Sequence, residues 1–255
     1  APHLHRGGKK QRHALSLRPG RGPFPKVPHI DKLSIVPQAG PVTAPTTRRT
    51  RTRSALLVAL QELLLDPNAP AVSVPQVVSR CGVAQGTFYN YFDSLPEAID
   101  AIGALLLTEH TRVLQIVTSG AADTAEIVAR SARQTLTLVA RRPDVGRLMF
   151  DSGLPVDRFA GGLRGHFHDD LRLGIDRGDF AVADFDVAST VYTGTMIGAC
   201  LDLHRGRLLT DSVPDVVGSL LRALGVNTRK AHRHATAPQE FIPWAPLPLS
   251  AIEGI

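Results

Sequence analysis

The sequence has few cysteines, few aromatic residues and no long apolar run, and each shortage excludes a class of protein. Two cysteines among 255 residues are too few for a disulfide framework, which favours a cytoplasmic protein. No run of about 18 apolar residues occurs, so we expect no membrane span. The first residues contain no apolar segment, so we expect no secretory signal. Aromatic residues make up 5%, too few for a platform that stacks single-stranded nucleic acid.

Signals for catalysis and for cofactor binding are also missing. The sequence contains no glycine-rich phosphate loop, no supported nucleophilic triad and no paired catalytic carboxylates, so we predict neither an enzyme nor a cofactor. His166 and Asp170 are spaced i, i+4 on a predicted helix and could share a divalent metal. A solvated or hydrogen-bonded helix face is the favoured interpretation, and no metal site is predicted.

Positive charge is concentrated in the first part of the chain. Residues 1–53 hold 12 of the 29 lysines and arginines and one acid, Asp31, which gives a net charge of +11. Residues 54–255 hold the other 17 bases and 22 acids, which gives −5. A basic segment before a mildly acidic body indicates an anionic partner such as nucleic acid, although a solvated tail that aids solubility would have the same composition.

Proline content divides the chain into an arm, a body and a tail. Eight of the 19 prolines fall in residues 1–46, which we expect to form an extended basic arm. Residues 228–255 are predicted to form a second irregular, Pro-rich segment, whose apolar residues suggest that it packs on the body. The body is predicted to comprise a small domain over 47–94 and a larger one over 95–227.

The body is predicted to be all-α. Leu56, Leu60 and Leu63 follow the spacing of one buried helix face. Capping-box patterns at Ser73 and Ser94 start further helices. Beyond a first helix that stops at Asp66, the predicted helices begin near residues 73, 84 and 94 and then cover about 122–141, 143–150, 155–177, 184–205 and 212–224.

Residues Ser73 to Phe92 carry the strongest functional signal. Two short helices separated by a turn at Gly82 form a helix-turn-helix, because glycine can adopt the positive φ that such a turn needs. The second helix of this unit lies in the major groove of DNA. Phe88 and Phe92 are predicted to anchor that helix in the core. Its opposite face would present neutral hydrogen-bonding groups, at Gln85, Thr87, Tyr89, Asn90 and Tyr91.

At these positions the sequence resembles the tetracycline-repressor (TetR) family of transcriptional regulators. The family's Gly-Val turn corresponds to Gly82 and Val83, and its recognition-helix core corresponds to Gly86 through Phe92. The start of its fourth helix corresponds to Ser94 through Glu97. Spacing, helix order and aromatic anchors agree over about residues 48–105.

Two positions depart from the family pattern. Ala84 stands where the family commonly has a serine or threonine that caps the recognition helix, a loss of about 1 kcal/mol of local helix stability. Leu95 stands where the family often has a lysine that contacts a DNA phosphate. The arginine-rich run 47–53 could supply that contact instead.

The resemblance implies a homodimer that binds a palindromic double-stranded operator and releases it, usually as a repressor, when a small apolar effector occupies the larger domain. Dimerisation would use helices 184–205 and 212–224. DNA contacts are expected from Arg48, Arg49, Arg51, Arg53, Ser73, Gln85, Gly86, Thr87, Tyr89, Asn90 and Tyr91. Effector contacts are expected from Leu106, His110, Phe150, Phe167, Tyr192 and Met196.

Two other functions remain open at this point. A DNA-binding dimer without an effector would have a filled core in its larger domain. An enzyme or carrier built on a helical bundle would hold a cofactor and lack affinity for an operator.

Overall fold

The computed structural model describes residues 48–68, 71–152 and 156–250, with only the backbone described at 156–160 and 163. The predicted arm, residues 1–46, lies outside them. The prediction of an all-α protein is confirmed, because the described residues form ten α-helices and no strand. In chain order, α1 to α10 are Arg48–Leu65, Val74–Cys81, Gln85–Tyr89, Leu95–Thr118, Thr124–Arg141, Pro143–Phe150, Val156–Asp176, Phe185–His204, Val213–Ala223 and Thr228–Thr236.

Helices α2 and α3 form the helix-turn-helix, and local chemistry fixes both ends of α2. The backbone N–H and the hydroxyl of Ser73 both donate to Oε1 of Gln76, each at 2.8 Å. Gly82 ends α2 with a φ of +65°, where a side chain would be strained. Helix α3 stops at Tyr89, and the chain after it tightens into i, i+3 hydrogen bonds at Asn90 and Tyr91.

Two apolar clusters fill the body. The first joins α1 through α4 with parts of α5 and α6, and Phe88 and Phe92 are buried in it as predicted. The second lies around α5, which contacts every helix from α6 to α10 and also α4. Helix α4 is 24 residues long and belongs to the first cluster along most of its length, so it connects the helix-turn-helix to the larger helical part. None of the helices described is long and apolar enough to cross a membrane.

The prediction that residues 228–255 are irregular is wrong for its first part. Residues Thr228–Thr236 form α10, which starts where the side chain of Asn227 accepts a hydrogen bond from the backbone of Lys230 at 2.9 Å. Ala231 and Ala235 are fully buried and bring α10 close to α9. The sequence contains two signals for this helix, the asparagine cap and the proline-free run after it. The prolines further on favoured an irregular segment instead.

Residues 237–250 follow α10 as an extended segment, here called the strap, which packs on the body as the sequence suggested. Trp244 and Leu249 of the strap are buried in the first apolar cluster. Its backbone is held by side chains of the body. The Gln134 amide pairs with both backbone groups of Ile242, and Glu109 Oε1 accepts from the N–H of Ala245 at 2.9 Å.

A further contact joins the end of the strap to α1. Gln61 is completely buried, donates to the carbonyl of Leu249 at 2.8 Å and accepts from its N–H at 2.9 Å. The strap therefore runs from the end of α10 to the helix that precedes the helix-turn-helix.

We expect Gln61→Leu to destabilise the fold. The substitution leaves the N–H and the carbonyl of Leu249 buried without partners, which should lower the free energy of unfolding by about 2–4 kcal/mol. Chemical denaturation followed by circular dichroism measures this change. Gln115→Leu, at an exposed position of α4, is the matched control and should change stability by less than about 0.5 kcal/mol. Equal effects of the two substitutions would contradict the role given to Gln61.

Candidate nucleic-acid interface and internal cavity

Helix α3 presents its polar side chains outward, as the sequence predicts. Gln85, Gly86, Tyr89 and Asn90 are exposed, and Thr87 and Tyr91 are partly exposed. The helix is held from behind by Phe88, which has no exposed surface. Ala84 precedes α3 and provides no side-chain cap. The outer face of α3 therefore carries neutral donors and acceptors suited to base edges and phosphates.

Arginines at the start of α1 stand beside this face. Arg48, Arg49 and Arg51 are exposed and Arg53 is partly exposed. The Arg49 guanidinium lies 6.0 Å from the ring centroid of Tyr91, and that of Arg53 lies 5.1 Å from the ring of Phe92. One open groove is lined by Arg48, Arg49, Thr52, Val83, Ala84, Thr87, Asn90 and Tyr91. Cationic and neutral hydrogen-bonding groups are thus brought to a single surface.

Ser73 and Cys81 serve the local structure of the helix-turn-helix. The N–H and the hydroxyl of Ser73 donate to Gln76 and its carbonyl accepts from the N–H of Val77, so this residue stabilises the start of α2. The thiol of Cys81 lies 3.3 Å from the carbonyl oxygen of Ala55. Burial raises the pKa of this thiol, with the charge of Glu62 adding to the shift. A raised pKa gives little thiolate and no support for a redox switch.

An apolar cavity of about 300 Å³ lies where α4, α5, α6 and α7 meet the strap. Most of its walls are aliphatic, and three polar side chains, those of Asp100, His110 and Thr135, line it together with the indole of Trp244. Its lining residues are Asp100, Gly103, Ala104, Leu106, Leu107, His110, Thr135, Leu138, Val139, Met149, Gly162 and Trp244.

His110 is the central polar residue of the cavity. Its Nε2 lies 3.2 Å from Oγ1 of Thr135, and its ring meets the ring of Trp244 edge to face at 5.7 Å. Burial lowers the pKa of His110 to about 4, and the neighbouring His166 adds to the shift. The imidazole is therefore neutral at pH 7. Nδ1 of His110 and Nε1 of Trp244 are both buried without a hydrogen-bond partner among the described residues.

Only part of the predicted effector set lines this cavity. Leu106 and His110 do so, whereas Phe150, Phe167, Tyr192 and Met196 do not. The ring of Phe167 stacks on that of Tyr192 at 3.6 Å, and Met196 is buried in the same cluster. Phe150 stacks on His204. Phe167 and Tyr192 stack on each other because α7 and α8 pack directly together.

Trp244, Thr135 and Met149 line the cavity and were not predicted. Trp244 is the single tryptophan of the chain, and its place in an apolar tail signalled that it packs on the body. The sequence offered no signal for its partner, because the strap and α4 are joined only by the tertiary fold.

The histidines of α7 make hydrogen bonds to protein groups. His166 Nε2 lies 2.7 Å from Oγ1 of Thr111, and His168 Nε2 lies 2.7 Å from Oγ of Ser189. Burial raises the pKa of Asp170 to about 6, with Asp169 contributing. Within the described ranges, no group of three or more His, Cys, Asp or Glu residues is arranged to hold a metal ion.

Two family descriptions match the chain in sequence. Residues 56–94 match the bacterial regulatory proteins of the tetR family, and residues 123–236 match the tetracyclin repressor-like C-terminal domain. The first match contains the whole helix-turn-helix, and the second runs from α5 through α10.

Similar proteins agree with these matches. The HTH-type transcriptional regulator YvdT of Bacillus subtilis (strain 168) is 30% identical over 102 residues, which is 40% of this chain and about half (52%) of the length of that curated relative. A crystal structure of RolR in complex with resorcinol has a TM-score of 0.62 at 22% identity, covering 78% of this chain and 98% of RolR. The structure of the fatty acid degradation regulator FadR from Bacillus halodurans has a TM-score of 0.55 at 16% identity, and the match covers 71% of this chain and 98% of FadR. These two structures share the fold.

We expect His110 to make the fold less stable in acid. The unfolded chain binds a proton at His110 below pH 6.5, whereas the folded chain does so only near pH 4. The neutral, buried ring of His110 therefore makes its full contribution to the stability of the fold above pH 6.5. As the pH falls from 6.5 towards 4, the free energy of unfolding decreases by about 1.4 kcal/mol per pH unit. Asp170 has the opposite effect on the pH dependence of stability. Because its pKa in the folded chain is raised to about 6, it makes the fold more stable as the pH falls below 6.

The contribution of His110 is isolated by comparison with His110→Gln, which can still donate to Thr135 but does not titrate. The wild-type protein should lose about 2–3 kcal/mol more unfolding free energy than this variant between pH 6.5 and 4.5. Denaturant unfolding at a series of pH values measures the difference. Parallel stability curves for the two proteins would show that His110 is not buried as a neutral ring.

Proposed function

Because the chain belongs to the TetR family of bacterial regulatory proteins, we propose that it is a DNA-binding transcriptional regulator, acting as a homodimeric repressor that a small apolar effector releases from a palindromic operator. The observation that carries the proposal is the shared surface of α1 and α3. Arginines line a groove there together with the neutral polar groups of the recognition helix.

The arginines of α1 and the neutral polar side chains of the recognition helix have different roles in DNA binding. Arg48, Arg49 and Arg51 stand free enough to reach phosphates, which supply most of the affinity without sequence information. Tyr89 and Asn90 project from α3 towards base edges, where amide and hydroxyl groups discriminate between bases. The arginines at the start of α1 supply the positive charge that Leu95 does not.

A homodimer explains the apolar outer face of α8. Val187 and Val191 are 62% and 47% exposed. Gly194 and Gly198 continue the same face, and space is open above both. A surface of valines and glycines permits close approach of a second helix and is costly to leave in water. A two-fold dimer through α8 and α9 would place two recognition helices about one DNA turn apart.

The cavity supports control by an effector rather than constitutive DNA binding. An effector-independent dimer would be expected to have a filled core, and the larger domain instead has an apolar space of about 300 Å³. Several cavity walls, including Gly103 and Leu106, belong to α4, whose first residue follows the helix-turn-helix closely. A ligand that shifts α4 would change the position of α3, and effector and DNA would then weaken each other's binding equally.

The DNA-binding face is tested by Tyr91→Phe and Asn90→Ala. Each variant removes one hydrogen-bonding group from the two residues that directly follow α3, and each should weaken binding to the operator by about 1 kcal/mol, or fivefold. Fluorescence anisotropy with labelled operator DNA measures this loss. Gln115→Ala, exposed on α4, is the control and should bind as the wild type does. Wild-type affinity in both α3 variants would exclude the proposed face.

The dimer is tested by Val191→Glu. A carboxylate in the middle of the α8 face should prevent association, because its charge would be buried without a partner. Sedimentation at micromolar concentration should then give the mass of one chain, against twice 27.4 kDa for the wild type. Ile116→Glu places the same charge at an exposed apolar position of α4 and should leave the dimer intact. A monomeric wild type that binds a palindrome with full affinity would rule the dimer out.

A further inference from the structure

We infer that the strap transmits occupancy of the cavity to the DNA-binding face, by carrying a displacement of Trp244 to the C-terminal end of α1. This role deepens the proposed function and rests on it, because what the strap would transmit is the effector's control of DNA binding. One end of the segment 244–249 forms part of the cavity wall, and the other end is fixed to α1.

Trp244 brings the strap to the cavity. Its side chain forms part of the cavity wall beside His110 of α4, whose ring it meets edge to face. The N–H of the next residue, Ala245, donates to Oε1 of Glu109, which also belongs to α4. A ligand that fills the cavity therefore presses on the strap as well as on α4.

The segment between Trp244 and Leu249 is short and stiff. Four residues separate the two, and two of these are prolines, Pro246 and Pro248. Because a proline ring fixes φ at about −65°, the segment has little freedom to absorb a displacement. A shift of Trp244 is therefore expected to reach Leu249.

The far end of this segment is fixed to the C-terminal end of α1. Gln61 makes hydrogen bonds with both backbone groups of Leu249, at 2.8 and 2.9 Å, and has no exposed surface. The carbonyl of Leu65, the last residue of α1, accepts from Nη1 of Arg147 at 3.2 Å. Arg147 belongs to α6, which also contributes Met149 to the cavity wall. Two elements that border the cavity therefore hold the same end of α1.

The opposite end of α1 carries the arginines of the DNA-binding face. Arg48 stands 13 residues before Gln61, which is about 20 Å along an α-helix. Over that length, a tilt of about 5° at Gln61 would move Arg48 by about 2 Å, enough to lose a contact with a DNA phosphate. Because hydrogen bonds are lost outside a narrow range of distance and angle, Gln61 is either paired with Leu249 or not. The strap thus has the two discrete arrangements that coupling between distant sites requires.

Gly103→Leu tests the effect of occupancy without an added ligand. Gly103 lines the cavity from α4, and no atom lies within 4 Å of the position its side chain would take, so leucine fills part of the cavity in every molecule. The DNA is a labelled duplex that the full chain selects from a random-sequence pool, and anisotropy gives its dissociation constant. We expect Gly103→Leu to weaken DNA binding about tenfold, a typical coupling between sites. Gly165→Leu, at an exposed glycine of α7 with equally open surroundings, is the control and should bind as the wild type does.

Pro246→Gly distinguishes transmission through the strap from transmission through α4 alone. Pro246 is exposed and lies between Trp244 and Leu249, so glycine loosens the segment and leaves the contacts at both of its ends. In this background, Gly103→Leu should weaken DNA binding by only about twofold. Pro243→Gly changes an exposed proline of the strap outside the segment and should keep the tenfold effect. Equal weakening with and without Pro246→Gly would overturn the inference.

The emission of Trp244, the single tryptophan of the chain, provides a reciprocal readout. Linkage requires that DNA act on the cavity wall if the cavity acts on DNA. Adding DNA should therefore change this emission, and the change should fall severalfold in Pro246→Gly but not in Pro243→Gly. Trp244 does not line the groove of the DNA-binding face, so direct contact with DNA does not explain such a change. DNA binding without any change in the emission would overturn the inference.

Failure of the proposed regulator and failure of the strap as its transmitter give different results. Absence of DNA binding by the wild type, or wild-type affinity in Gly103→Leu, would contradict the proposed control by an effector and overturn the inference with it. Weakened binding in Gly103→Leu that Pro246→Gly does not reduce would leave the proposed function in place and overturn the inference alone.

Discussion

The strap places a row of backbone polar groups against an apolar core, and the body of the protein is arranged to pair them. Gln134 of α5 makes hydrogen bonds with the N–H and the carbonyl of Ile242. Gln61 of α1 makes the same pair of hydrogen bonds with Leu249. Between them, Glu109 of α4 accepts from Ala245. Each unpaired buried group would cost about 1–3 kcal/mol. Three helices therefore each contribute one amide or carboxylate where the strap passes, and the position of Trp244 in the cavity depends on these contacts.

Glu109 requires support of its own, because its side chain is only 1% exposed. Arg112, one turn further along α4, holds both carboxylate oxygens, at 2.7 and 2.8 Å. The hydrogen bond from Arg112 is the main cause of the lowered pKa of Glu109, and the N–H of Ala245 adds to it against the effect of burial. The charge is thus kept by two partners, and α4 carries in successive residues the group that fastens the strap and the histidine that faces the cavity.

The parts of the molecule that follow from local chemistry were predictable, whereas only Leu106 and His110 of the predicted effector residues line the cavity. Gly82, the Ser73 pattern and the Phe88–Phe92 spacing each act within a few residues, so the helix-turn-helix could be derived from the sequence. The cavity depends on contacts such as Glu109 with Ala245, separated by 136 positions. Phe167 and Tyr192 were expected to contact an effector, but their rings stack on each other, an arrangement that depends on tertiary packing. Helix α10 was a missed local signal, since Asn227 is an ordinary helix cap.

The pairing of Gln61 with Leu249 joins positions that are 188 residues apart, and this separation sets an order of events during synthesis. At about 5–20 residues per second, the ribosome adds Leu249 roughly 10–40 s after Gln61. Throughout that interval the amide of Gln61 can donate to the carbonyl of Leu57 within α1 but lacks both backbone groups of Leu249. Helix α1 can form early, yet its inner face is completed only when the strap arrives. A nascent chain that already contains the whole helix-turn-helix therefore still lacks the finished packing behind it.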